Sequence, residues 1–381
     1  MKKDNAVEPA SDPGFSSSGT TPIILSEYLF TRADFPSMHS ATLLELENGE
    51  LLCAFFGGTE ESAPDVEIWL CRKPSGGSWT KPISVADGRQ ADGTRYSTGN
   101  PVLFQPKGGN ILLFYKVFKP DEPWWGEFKI SADNCRTWSK ARKLPIAEGI
   151  IGPVKNKPIQ LEDGSIISGS SFEDPDGWRV HVERSTDGGM TWTRIGPVND
   201  VHQFNVIQPA ILTHRNGRIQ MLMRNKSEHS STRIPETWSD DGGLTWTPLA
   251  NTILPNNNSG IDAVTLQDNR HLLVYNHSTR KQDTMGHKGR GVLNVAVSED
   301  GRNWEAALVL DYINAINKQY SYPAVIRSRD GLVHMCYTWH RKRIKHVVLN
   351  PDKLVTYPIV NGKWPVEYIP LIPGWSPGIK T

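Results

Sequence analysis

The chain of 381 residues carries 42 lysines and arginines against 41 aspartates and glutamates, a formal charge of +1. No global field therefore selects nucleic acid or an anionic membrane, and any preference for an acidic ligand has to be local. Hydrophobic residues make up 38% of the chain, and no run approaches the roughly 20 apolar residues that cross a bilayer as a helix. The length would fit two average domains, but a repetitive β architecture can use all of it in one, and 13 tryptophans with 33 glycines favour that reading.

Residues 1–20 are rich in Pro, Ser and Gly, hold almost no large apolar side chain, and read as a disordered tail. They lack the apolar core of a secretion signal, a picture shared by a cytoplasmic protein and by a periplasmic or extracellular one already processed. Residues 21–381 read as one domain. It opens with an isolated apolar strand at 23–30. Six copies of one pattern follow, an apolar strand, a turn with Gly or Asn, and a second apolar strand, at 41–56, 101–115, 158–169, 209–223, 263–275 and 324–337.

Downstream of these hairpins comes a second repeat. Residues 185–192 read Ser-Thr-Asp-Gly-Gly-Met-Thr-Trp and residues 239–246 read Ser-Asp-Asp-Gly-Gly-Leu-Thr-Trp, with degenerate copies at 131–138, 298–304 and, weakest, 75–79. Their tryptophans, Trp79, Trp138, Trp192, Trp246 and Trp304, recur every 54 to 59 residues. The octapeptide is a tight hairpin: Asp bonds back to the turn backbone, Gly supplies a positive φ, and Trp buries a large ring between sheets. It is a folding element without catalytic content.

Each unit supplies four antiparallel strands, and six such units around an axis predict an all-β, six-bladed propeller. The sixth unit lacks the octapeptide. Residues 344–349 are expected as its third strand, and the strand at 23–30 as its outer one, closing the ring.

The octapeptide hairpins then occupy one face, and the other face gathers the starts of the innermost strands and the loops after the second strands. His39, Asn100, Lys155, Asn156, Gln208, Asp262 and Tyr322 belong to the first group. Glu60, Glu61, Asp65, Lys116, Glu173, Arg224, Asn276, His277 and Arg341 belong to the second. So many polar groups around one axis describe a binding site better than a core, with about half expected to line only a watery channel. Trp124, Trp125, Tyr96 and Trp339 offer flat faces for sugar rings or, equally, packing between blades.

With these repeats the chain resembles the sialidase (neuraminidase) superfamily, in its divergent members with Asp-box, or BNR, repeats, over about residues 22–350. The resemblance implies three arginines holding a substrate carboxylate, a tyrosine nucleophile assisted by a glutamate, and an aspartate acid/base. Tyr322 falls at the nucleophile position. Arg290, eight residues before Ser298, and Arg224, in Met-Leu-Met-Arg-Asn at 221–225, fall at two arginine positions. Two positions depart from the family. Ser37-Met38-His39-Ser40 stands where sialidases carry Phe/Tyr-Arg-Ile-Pro, so His39 replaces the first arginine, and Gln208 replaces the glutamate. A glutamine cannot take up a phenolic proton as a carboxylate does. For the acid/base, Asp65 is the expected residue, with Glu60 and Glu61 as rivals.

The resemblance thus implies an exo-acting glycosidase that removes a terminal acidic sugar, above all a sialic acid. Tyr322, Asp65, His39 and Gln208 would be catalytic, and Arg224, Arg290, Asn100, Lys155, Asp262, Arg341 and Glu173 would hold substrate. Two alternatives share these residues: a uronate-specific polysaccharide lyase with His39 or Tyr322 as base, and a catalytically silent carbohydrate-binding propeller.

No cofactor or metal is expected. His277, His287, His340 and His346 lack ligand spacing, and Gly286-His287-Lys288-Gly289 is not followed by the strand-to-helix turn of a phosphate loop. Cys53, Cys71, Cys135 and Cys336 are scattered. They read as buried thiols, with a Cys53–Cys71 bridge as the alternative because both fall on neighbouring strands.

Overall fold

The computed structural model describes residues 15–16, 21–226, 231–279, 289–314 and 318–373. The expected tail otherwise lies outside them, as does the segment around His287. Residues Phe15–Ser16 form a short strand against Ile23–Tyr28, a pairing not anticipated for the tail.

Six antiparallel sheets make six blades. The first contains Ser37–Glu45, Leu51–Gly58, Glu67–Lys73 and Ile83–Ala86, from axis to rim. The other blades repeat this order, starting from innermost strands Arg95–Phe104, Ile159–Gln160, Val206–Thr213, Asp262–Thr265 and Tyr320–Arg327. In the sixth, Arg343–Leu349 is the third strand, and Ile23–Tyr28 pairs along it from Ile23↔Leu349 to Tyr28↔Lys345. The strand Ile23–Tyr28, which precedes the first blade, therefore closes the ring.

Both faces of every blade are covered, which is why the strands read as apolar runs instead of alternating. Leu51–Gly58, for example, is buried at every position. One hydrophobic cluster lies between each pair of neighbouring blades, such as Phe114, Phe128, Leu144 and Ile166 between the second and third. The octapeptide tryptophans fill these seams. Trp192 joins that cluster and Trp304 the one between the fourth and fifth blades, at 8% and 2% exposure.

The turn chemistry is as its sequence implies. Asp187 Oδ1 accepts the N–H groups of Met190 and Thr191, both at 3.0 Å, Oδ2 accepts the Thr191 hydroxyl at 2.6 Å, and Trp192 Nε1 donates to the Gly189 carbonyl at 3.1 Å. Asp133, Asp241 and Asp300 likewise accept turn N–H groups on Oδ1. Cys53 and Cys71 face each other across adjacent strands, and all four cysteines are buried free thiols.

One irregularity recurs at the hub. The pairing of innermost and second strands slips between His39 and Thr42, Gly99 and Val102, Ile207 and Ala210, and Ser321 and Ala324. At each slip one residue adopts a left-handed backbone: Ser40 (φ 57°), Asn100 (45°), Gln208 (54°) and Tyr322 (54°). Such a bulge re-aims a side chain that regular pleating would bury in the seam. Three of these residues, Asn100, Gln208 and Tyr322, face a cavity at the axis.

Candidate active site

That cavity measures about 270 Å³ and takes residues from all six blades. Tyr322, Gln208, Arg224, Arg290, Asn100, Arg341 and Glu173, each expected from the sequence, line it together with Glu61 and Lys116. A larger, more open groove of about 740 Å³ lies among the turns of the opposite face, around His214, Trp238 and Arg302. It shares no residue with the hub.

The centre is an arginine–tyrosine–glutamine triangle. Arg224 Nη1 donates to the Tyr322 hydroxyl at 2.5 Å and to Gln208 Oε1 at 3.1 Å, while Gln208 Nε2 lies 3.5 Å from the same hydroxyl. The loop residue Asn258, itself left-handed at φ 61°, holds both arginines. Its Oδ1 accepts Arg224 Nε at 2.8 Å, and its carbonyl accepts Arg290 Nη2 at 3.0 Å.

Two other cations at the cavity are ion-paired: Arg341 with Glu61 at 2.9 Å and Lys116 with Glu173 at 3.1 Å. Among the described residues, Arg224 and Arg290 have no carboxylate partner. Burial brings the Arg290 guanidinium down to about 10, with nearby Tyr322 opposing and Arg224 adding to the fall. For Tyr322, burial alone would raise the phenol, but Arg224 and Arg290 outweigh it and the net shift is downward. Lys116 pulls the Glu173 carboxyl below its usual range against the effect of burial.

Two expected site residues sit beneath the cavity. His39 is 1% exposed, with its ring centroid 4.1 Å from that of Tyr322 and its Nδ1 2.7 Å from the Thr338 hydroxyl. Burial first, then Arg341, Arg290 and Arg224, depress it well below the usual imidazole range, so it is neutral. Lys155 donates to Asn156 Oδ1, the Ile261 carbonyl and the Pro323 carbonyl at 2.8, 2.5 and 2.6 Å, and burial brings it to about 7.

The structure does not bring Asp262 or Asp65 to the cavity. Asp262 ties blades together, accepting Lys157 Nζ at 3.0 Å on both oxygens and the Val325 N–H at 2.8 Å. Asp65 is turned back on its own exposed loop, where one oxygen accepts the Thr59 N–H at 3.0 Å and hydroxyl at 2.6 Å. Glu61 of the same loop reaches the cavity in its place. Asn276 and His277 are likewise engaged by backbone and by Tyr275.

Of the expected aromatic faces, Trp125 is buried over Lys143 and against Tyr96, Trp124 covers Lys116 Nζ at 3.6 Å, and Trp339 packs on Tyr28 and His340. Besides Tyr322, the aromatic rings that line the cavity are Phe56, Phe118 and Trp178, the last 5.2 Å from the Arg224 guanidinium. Sequence reasoning passed over Trp178 and Asn258. The signal for Trp178 was the turn Asp174-Pro175-Asp176-Gly177, which brings the chain back to the cavity with Trp178 directly opposite Glu173.

A BNR repeat-like domain family model matches residues 49–335, and the chain belongs to that family. The sialidase of Micromonospora viridifaciens is 22% identical over 236 residues, which cover 58% of this chain and 35% of that protein, about a third of its length. Among solved structures, the Hadza microbial sialidase Hz136 superposes with a TM-score of 0.71 at 16% identity, over 87% of this chain and 70% of that one. A protein of unknown function from Dyadobacter fermentans gives 0.68 at 16% identity, over 86% and 98%. The intramolecular trans-sialidase of Ruminococcus gnavus gives 0.62 at 14%, over 90% and 98%. At these identities the likeness is one of fold.

Proposed function

We propose that the protein is an exo-acting glycosidase of sialidase type that releases a terminal acidic sugar, a sialic acid by preference. The observation that carries this reading is the pair Arg224 and Arg290, converging on one small cavity with no carboxylate to neutralise them among the described residues. Arg224 is buried and Arg290 half-buried; cations withdrawn from water require a compensating charge, and a guanidinium offers a planar pair of donors that matches a carboxylate. A volume of about 270 Å³ is room for a single sugar residue.

In this reading the Tyr322 oxygen, its proton given up to water, bonds to the anomeric carbon as the bond to the leaving oxygen breaks, and Glu61, protonated and parted from Arg341, gives that oxygen its proton. Water then reverses the steps with Glu61 as base, so the anomeric configuration is retained. Glu61 takes this role because it lines the cavity, whereas Asp65 is held on its own loop by Thr59. Of the two bases a uronate lyase could use, His39 lies behind the Tyr322 ring and only Tyr322 faces the cavity.

Turnover of a panel of aryl sialosides and uronides, with products followed by NMR, tests the proposal. Release of a sialic acid by wild type, abolished in Arg224→Ala at an unchanged melting temperature, is the expected result. A product with new near-ultraviolet absorbance, or binding without turnover across the panel, overturns it in favour of a lyase or a silent binder.

A further inference from the structure

The phenolic oxygen of Tyr322 is surrounded by donors. Arginine can only donate, so the atom of Gln208 that lies 3.1 Å from Arg224 Nη1 must be its oxygen. That fixes the amide, and it leaves Gln208 Nε2 facing the Tyr322 hydroxyl at 3.5 Å. Arg224 Nη1 is the second donor, at 2.5 Å. Neither group can accept a phenolic proton, whereas both satisfy a phenolate.

We infer that Tyr322 rests as a phenolate, held by Arg224 and Gln208, and attacks without a carboxylate base. The inference concerns the site assigned above but does not require it to be a glycosidase.

The wider surroundings agree with this charge state. Arg290 stands with its guanidinium carbon 5.5 Å from the ring centre, and the Lys155 ammonium lies 6.0 Å from it on the buried side. His39 against the ring is neutral, and Lys116 and Glu173 cancel one another. Glu61 opposes ionisation of the phenol but is itself paired with Arg341. Glutamine at position 208 then has a specific consequence. A glutamate there would set a negative charge beside the phenolate and hold the proton on the pair, so the glutamine removes the proton acceptor and also the need for one.

The pH titration of tyrosinate absorbance in the unliganded protein tests this without any substrate. Burial pushes Tyr115, Tyr275, Tyr320 and Tyr337 upward, so an early-ionising tyrosine stands apart. One of the 10 tyrosines is expected to be ionised already in neutral buffer, well below the ordinary phenol value of about 10, and its absorbance to be missing from Tyr322→Phe. In Gln208→Glu the same transition should move up by about one unit or more. If the early transition is absent in wild type, survives in Tyr322→Phe, or stays in place in Gln208→Glu, the inference is wrong. An early tyrosinate in a protein that cleaves no sugar leaves the inference standing and removes the proposed function; sialoside turnover with an ordinary Tyr322 does the reverse.

Discussion

Asp65 and Glu61 sit four residues apart in one loop, and only their hydrogen-bond partners tell them apart. Asp65 spends a carboxylate oxygen on Thr59 and closes the loop, while Glu61 meets Arg341 at the cavity wall. If Glu61 protonates the leaving oxygen, Glu61→Gln should slow the release of poor leaving groups by about 10²-fold or more and that of activated aryl groups far less. Asp65→Asn should leave this ratio unchanged; equal losses on both substrates would assign Glu61 to binding alone. The arginine and tyrosine positions were legible because each sits at a fixed distance from a strand or turn landmark. Which carboxylate of that loop reaches the cavity was not, because a loop's side chains are set by local hydrogen bonds that spacing does not encode. Asp262 shows the same limit: its strand position was read well, but its carboxylate serves Lys157 and Val325 instead of a ligand.

At the level of elements, the octapeptide turn and its tryptophan form a structural unit remote from the chemistry. Trp304 is 2% exposed in the seam between the fourth and fifth blades. Trp304→Ala should therefore cost about 3–5 kcal/mol of stability through the cavity it leaves, measured by denaturant unfolding, with kcat/KM per folded molecule unchanged. Blades with the full octapeptide were plain in the sequence because Asp, Gly and Trp each meet a separate requirement of one turn. The sixth blade was legible only by elimination, yet Arg343–Leu349 and Ile23–Tyr28 fall within a residue or two of where closure of the ring placed them. What no local pattern announced is the bulge at four of the six innermost strands, since a left-handed Tyr322 or Gln208 is imposed by convergence on the axis.

For the whole molecule, closure depends on a polar clasp as well as on strand pairing. Glu27 of the N-terminal strand accepts Trp79 Nε1 and Lys73 Nζ from the first blade, both at 3.0 Å, and meets His346 Nδ1 of the sixth at 2.9 Å. His346 belongs to a set of histidines that burial depresses below the usual range, with His39 and His214, and with His271, His277 and His334 at about 4. The folded chain refuses protons that the unfolded chain accepts from about pH 6.5 downward. Stability gained above that value should thus fall as pH drops toward 4, by up to about 1.4 kcal/mol for each unit of depression. Thermal melts across this window check it, and a flat profile would show that these histidines charge freely in the fold. The central claim is that the hub reads a carboxylate through Arg224 and Arg290, and the most direct measurement compares an aryl sialoside with its carboxylate methyl ester. The free acid should be cleaved and the ester cleaved at least about 10²-fold more slowly. Equal cleavage of the two, or cleavage of neither, contradicts the account.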